Sequence, residues 1–186
     1  MKVAQLPTLS RSIREATGVD VARCYQCGKC TAGCPMAKFM DLTTSQVMRL
    51  CQIDDPKALD RLLSSDAIWA CAGCLTCTQR CPKELDPAAV MDVLREMSSR
   101  QGKVSPRRKK ILAFHQAFLT TVRKTGRMSE FALVRRYKMS SGDLFGDMLL
   151  APVMMAKGKL SLKTHKIKGR DQIKKIFQAC QARAKK

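Results

Sequence analysis

Cys24-Tyr-Gln-Cys27-Gly-Lys-Cys30-Thr-Ala-Gly-Cys34-Pro35 returns 47 residues later as Cys71-Ala-Gly-Cys74-Leu-Thr-Cys77-Thr-Gln-Arg-Cys81-Pro82. Each cysteine and the closing proline of the first block has a counterpart in the second. The chain therefore carries an internal duplication, and eight of its ten cysteines lie inside it. Three thiols spaced three residues apart in one curved loop can reach three corners of a cube. The fourth, beside a proline that stiffens the turn, is held away from them. A tetrahedral zinc site takes four ligands, commonly as two separated C-x2-C pairs. The third C-x2 step and the Cys-Pro ending have no role there, so zinc is the weaker reading.

Both blocks fit the C-x2-C-x2-C-x3-C-P run that holds 4Fe–4S clusters in bacterial two-cluster ferredoxins, where the fourth cysteine ligates the other cluster. The pattern predicts two 4Fe–4S clusters with crossed ligation. Cys24, Cys27, Cys30 and Cys81 hold the first; Cys71, Cys74, Cys77 and Cys34 hold the second. Such crossing staples the two halves of the repeat together.

The residues around the blocks read as helix. Ser10 is expected to cap a helix through Ala16. Thr44 is expected to cap another that aligns Val47, Leu50 and Cys51. Asp55-Pro56 and Asp86-Pro87 each set a cap before proline at the first helical position. The second of these helices carries Val90, Val93, Leu94 and Met97 and stops at Gly102. Beyond it, Ser105-Pro106 opens a helix with Ile111, Leu112, His115, Phe118, Leu119 and Val122 on one side, ended by Gly126. Ser129 is expected to cap Phe131–Met139, and a last helix from Arg170 groups Ile173, Ile176, Phe177 and Cys180. No stretch has the period-2 alternation of a hairpin. The expected fold is all-α.

Charge divides the 186-residue chain, whose formal net charge is +20. Residues 1–100 hold 13 Lys+Arg against 11 Asp+Glu, whereas residues 101–186 hold 22 against 4. The shift coincides with Gln101-Gly102-Lys103-Val104-Ser105-Pro106, a helix stop and restart. We expect a cysteine-bearing module over 1–102 and a basic helical extension over 103–186. The extension is expected to be a docking element, with Ile173, Ile176, Phe177 and the Met148–Met155 segment buried against the cysteine module or a partner subunit and Lys and Arg at the rim. Its charge also raises a second reading, an iron–sulfur module that binds nucleic acid. Phe114, Phe118, Phe131 and Phe177 fall on apolar helical faces, which leaves few aromatics to stack on bases and disfavours it. No nucleic acid partner is expected. The longest apolar stretch, Met148–Ala156 with Pro152 inside it, is far short of the roughly 20 residues of a membrane span. The N-terminus lacks a signal-peptide core. The expected location is cytoplasmic, where cysteine-rich patterns signify metal or redox chemistry rather than disulfides.

Several residues have plainer readings. Cys51 and Cys180 lie on apolar helical faces as core thiols, and His115 and His165 are structural or solvated. The methionines, Met148, Met154 and Met155 included, are filler. Trp69 and Tyr25 flank the blocks and are expected to pack over the clusters. Lys29 and Arg80, inside the loops, are expected to favour the reduced clusters through their charge.

The two motifs and the helix-bearing 36-residue gap between them resemble the C subunit of heterodisulfide reductase, a helical ferredoxin; Ala156-Lys-Gly-Lys-Leu160 also fits that family's style. The motif pair is shared with the C-terminal domain of succinate dehydrogenase and fumarate reductase iron–sulfur subunits. The absence of a C-x4-C-x2-C run argues against a complete subunit of that kind. No Cys-Cys-Gly occurs, so the active-site clusters of the family's disulfide-reducing B subunit are not here. The resemblance implies a non-catalytic electron relay between the flavin-bearing A subunit and the disulfide-reducing B subunit. It also implies anaerobic metabolism and flavin-based electron bifurcation, with hydrogenase or formate dehydrogenase modules as further partners. The alternative it leaves is an iron–sulfur subunit of a quinone-linked or succinate/fumarate-type oxidoreductase.

Overall fold

The computed structural model describes residues 8–53, 55–142, 153–154, 156–158 and 167–183. Among these residues the regular structure is entirely helical, and the fold is all-α. The chain divides into two compact units, residues 1–108 and 109–186.

In the first unit the helices are α1 (Leu9–Thr17), α2 (Lys29–Ala32), α3 (Thr44–Ile53), α4 (Pro56–Ser64), α5 (Ala67–Ala70), α6 (Thr76–Gln79) and α7 (Pro87–Arg100). Short 3-10 turns cover Val21–Arg23, Ala37–Phe39 and Pro106–Arg108. Helices α1, α4 and α5 pack on α7, and α3 packs on α1 and α4. Ile13, Val47, Met48, Leu62, Leu63, Ile68, Val90, Met91 and Leu94 are fully buried between them. Each such side chain contributes about 1.5–3 kcal/mol through removal from water. This core uses residues from both sides of each cysteine block, so the loops are anchored at both ends.

The predicted Asp-Pro devices are present. Asp55 accepts the Lys57 and Ala58 amides, Asp86 accepts the Ala89 amide, and proline follows each at the first helical position. Such caps are worth about 1 kcal/mol each. Two other caps differ from expectation by one or two residues. Thr8, not Ser10, accepts the Arg11 amide and starts α1. Thr44 lies inside α3 and is buried, while the Gln46 side chain reaches back to the Thr43 amide at 2.8 Å. That reach-back is one half of a capping box, with Thr43 at the cap position. At the end of α7, the Lys103 amide bonds the Ser98 carbonyl and Gly102 takes φ +66°. This Schellman closure is the stop predicted at Gly102.

Residues 103–108 continue the first unit. Lys103 pairs with Asp60 at 2.8 Å, Val104 is buried, and Arg108 meets Asp66 at 3.5 Å.

The second unit contains α8 (Lys109–Thr125), α9 (Glu130–Ser141) and α10 (Arg170–Arg183), with α8 packed on both others. Its buried ridge on α8 is Ala117, Thr121 and Thr125, not the larger apolar stripe expected there. Phe118 and Leu119 of that stripe are exposed, and so is His115. Small side chains recur there at four-residue intervals, and the threonine hydroxyls bond carbonyls of their own helix. On α10, Ile176 is 57% exposed and Cys180 is exposed, so the core reading of that thiol does not hold. The Met148–Ala156 stretch lies mostly, and His165 wholly, outside the described residues. No described helix is long and apolar enough to cross a membrane.

Candidate metal centre

The duplication extends from sequence to backbone. Within the first block Gln26 (φ +61°) and Gly28 (φ +76°) are left-handed; their counterparts 47 residues on, Gly73 (φ +64°) and Leu75 (φ +60°), are too. Two left-handed residues per loop curl the chain so that successive cysteines face one side. Helices α2 and α6 follow at equivalent places and pack on each other.

Side chains from the helix after each loop hold it from behind. Gln52, near the end of α3, donates to the Val21 carbonyl at 2.8 Å and the Cys24 carbonyl at 2.7 Å. On α7, Arg95 donates to the Cys71 carbonyl at 3.5 Å. Cys24 and Cys71 open their respective blocks, so the same carbonyl is gripped in both halves. Thr31 and Thr78, again 47 residues apart, tie each loop to its next helix. Thr31 donates to Ser45 at 2.8 Å, and Thr78 donates to Asp86 at 2.7 Å. Asp41 accepts the Ser65 hydroxyl at 2.7 Å and the Ala67 amide at 2.8 Å, which seats α5 just before Cys71. Burial pushes the Asp41 carboxyl up, but the Ser65, Ala67 and Asp66 donors outweigh it and hold the group below its usual range. None of these supports was read from the sequence. Only the Thr31–Thr78 equivalence left a signal there.

Cys27 and Cys74 are exposed, and Cys24, Cys30, Cys34, Cys71, Cys77 and Cys81 are half-buried. A small pocket is lined by Cys34 together with Cys71, Cys74 and Cys77. Pro35, Leu75, Ala88 and Met91 complete much of its wall. On the other side of the repeat, Tyr25 is held above its usual pKa, by desolvation first and then by the Cys27 hydrogen bond. The charges of Cys27, Cys81 and Cys24 add to this, so Tyr25 feels a second-block thiol as well as those of its own block.

The paired thiols also behave alike. Burial raises Cys30 and Cys77 against hydrogen bonds from Thr31 and Thr78, with Cys24 and Cys71 as the respective charged neighbours. Cys74 is lowered by its hydrogen bond with Thr76. Among the described residues no three Cys, His, Asp or Glu side chains close in on one point as a lone metal ion requires. The donor set, four soft thiols around a pocket walled by apolar groups, fits an iron–sulfur cluster.

Other expected site residues are placed as follows. Trp69 is buried in α5 two residues before Cys71, whereas Tyr25 is 56% exposed with the Lys83 ammonium 5.8 Å from its ring. Cys51 is fully buried, as expected of a core thiol. Lys29 and Arg80 are exposed.

Residues 20–85 match the family model of the 4Fe–4S dicluster domain, and that match indicates two 4Fe–4S clusters. The chain is further similar to C subunits of heterodisulfide reductases. It is 37% identical over 95 residues to the C subunit of the ferredoxin:CoB-CoM heterodisulfide reductase of Methanosarcina acetivorans, a match covering 51% of this chain and 37% of that one. The protein of the same name from Methanosarcina mazei is 33% identical over 99 residues, 53% of this chain and 59% of that one. The second iron–sulfur C subunit of the CoB–CoM heterodisulfide reductase of Methanocaldococcus jannaschii is 32% identical over 95 residues, 51% and 49% of the two chains. The chain thus spans about half the length of the curated relatives it matches.

Proposed function

We propose that this chain is the electron-transfer subunit of a heterodisulfide reductase-type complex, a non-catalytic relay between a flavin-bearing subunit and a disulfide-reducing subunit. Cys24, Cys27, Cys30 and Cys81 would hold one 4Fe–4S cluster, and Cys71, Cys74, Cys77 and Cys34 the other. The observation that carries this reading is the cavity in which Cys34 of the first block stands with three cysteines of the second. When bound, each cluster supplies one-electron chemistry at a potential set by the surrounding protein. The chain's own residues do the rest. Gln52, Arg95, Thr31 and Thr78 orient the loops, and Met91 and Ala88 keep one wall apolar.

The basic extension over 103–186 would be the docking element. The exposed Phe118, Leu119 and Ile176 offer apolar contact, and the surrounding Lys and Arg favour an acidic partner face. A relative from Methanococcus maripaludis is named as a C subunit of an H(2)/formate:CoB-CoM heterodisulfide,ferredoxin reductase. Coupling to hydrogenase or formate dehydrogenase modules, bifurcation and a cytoplasmic setting belong to the same reading.

Anaerobic purification tests it. About eight iron and eight acid-labile sulfide per chain are expected from two cubane sites. Co-purifying chains should include a flavoprotein and a Cys-Cys-Gly-bearing subunit. Quinone-linked membrane subunits in their place would replace this reading by the alternative.

A further inference from the structure

The two halves of the repeat use the same grip with different charge. In the first half the Cys24 carbonyl is held by Gln52, a neutral amide, at 2.7 Å. In the second the Cys71 carbonyl is held by Arg95, a cationic guanidinium. We propose that Arg95 is a redox-tuning residue, whose charge makes the cluster held by Cys71, Cys74, Cys77 and Cys34 easier to reduce. This rests on the two-cluster reading above.

Burial is what distinguishes Arg95 from other nearby cations. Its side chain is only 20% exposed, and its Nε is buried without a hydrogen-bond acceptor among the described residues. Lys29, Arg80 and Lys83 are exposed, where water and salt screen their fields. Arg80 also acts on both halves: it precedes Cys81 in sequence and lies across Gly33, the neighbour of Cys34. Two carboxylates oppose Arg95. Asp92 pairs with it at 3.2 Å but is 72% exposed, so solvent carries much of its charge. Asp86, on the Thr78 side, accepts the Ala89 amide at the start of α7, where the helix dipole offsets it. Reduction adds one negative charge to a thiolate-ligated cluster. A fixed cation behind the loop therefore lowers the free energy of the reduced form.

The test is potentiometric titration of the intact anaerobic protein, followed by electron paramagnetic resonance, with signals assigned by Cys74→Ser. Iron and sulfide content of the unsubstituted protein comes first. Fewer than two clusters would end the two-cluster reading itself, and this proposal with it. With both clusters present, Arg95→Gln removes the charge and leaves a neutral polar amide at that position. At a fixed ambient potential the reduced-to-oxidised ratio of the second-block cluster should fall about tenfold, equivalent to about 59 mV for one electron. The first-block cluster should be unmoved. Arg95→Lys should restore most of the shift, which a purely structural grip would not produce. Arg100→Gln, on the same helix but exposed and paired with Glu96, should shift neither cluster. An unchanged second-block potential in Arg95→Gln, equal shifts of both clusters, or no recovery in Arg95→Lys would overturn the proposal.

Discussion

Gly33 and Arg80 occupy the same position in the two halves of the repeat, and they meet: a Cβ on Gly33 would lie 2.6 Å from Cδ and 2.8 Å from Nε of Arg80. The duplication thus brings one position of its own pattern face to face, and the two copies cannot both be large. Gly33 has an ordinary helical backbone (φ −94°), so only the Arg80 side chain opposes alanine there. Gly33→Ala should cost about 0.5–1.5 kcal/mol, limited because exposed Arg80 can swing away. In an Arg80→Ala background the same change should be neutral or slightly stabilising, since alanine favours helix. A double-mutant cycle by urea denaturation measures the coupling; additive effects would contradict the contact.

Asp41 gives a pH-dependent outcome. Its folded-state pKa lies below the unfolded value of about 3.9. Its stabilisation is therefore complete above about pH 4 and disappears as pH falls through the lower folded value. Asp41→Ala should cost about 1 kcal/mol at neutral pH, the low end for such bonds because the residue is open to water. The difference from the parent chain should shrink below about pH 4. Urea melts followed by helical circular dichroism across that range decide it; a gap that widens in acid would show the carboxylate is not the stabilising form.

Crossed ligation has its own signature. Cys34→Ser should disturb the cluster served by Cys71, Cys74 and Cys77, and Cys81→Ser the one served by Cys24, Cys27 and Cys30. Paramagnetic resonance of the reduced variants reads this directly. Each substitution perturbing its own block's cluster would reverse the assignment.

Much of this was legible from residue order because the informative features are local. Metal-binding spacing, Asp-Pro caps and the Gly102 stop depend on neighbours a few residues apart. What escaped depends on side chains meeting across the fold. Nothing in the spacing marks Gln52 as the residue that reaches Val21 and Cys24, 31 and 28 residues away. Arg95 reads as one more surface charge on an amphipathic helix. On α8 the apolar stripe pointed to Phe118 and Leu119, yet the buried positions are Ala117 and Thr121. Size, rather than hydrophobicity, chose the buried face there. Cys180 had the periodicity of a core thiol but is exposed on α10.

Truncation separates loading from docking. All eight cysteines of the two blocks precede residue 102, so chains ending at Gln101 and at Arg108 should both assemble clusters. The shorter one loses Val104, the Lys103–Asp60 pair and the Arg108–Asp66 pair. It should melt several degrees lower, as a loss of about 1–2 kcal/mol does in a domain of this size. Both should fail to co-purify with the partner subunits. For the full chain, the association rate should fall as salt rises, because screening shortens to roughly 8 Å at physiological ionic strength. Equal co-purification of full-length and shortened chains would remove the docking role.

The left-handed residues of the two loops set the copies apart. A loop of this shape has two places where glycine relieves strain, and each copy has glycine at a different one: Gly28 in the first, Gly73 in the second. At the other places Gln26 and Leu75 tolerate a conformation that costs a side-chain-bearing residue about 1 kcal/mol or more. The halves thus differ without changing the curl they share. Neither block is now a spare copy of the other. A chain built from two first blocks would restore glycine at position 75, but it would place glutamine at 73 and glycine at 80. It would lose the Arg80 contact on which the present halves fit together.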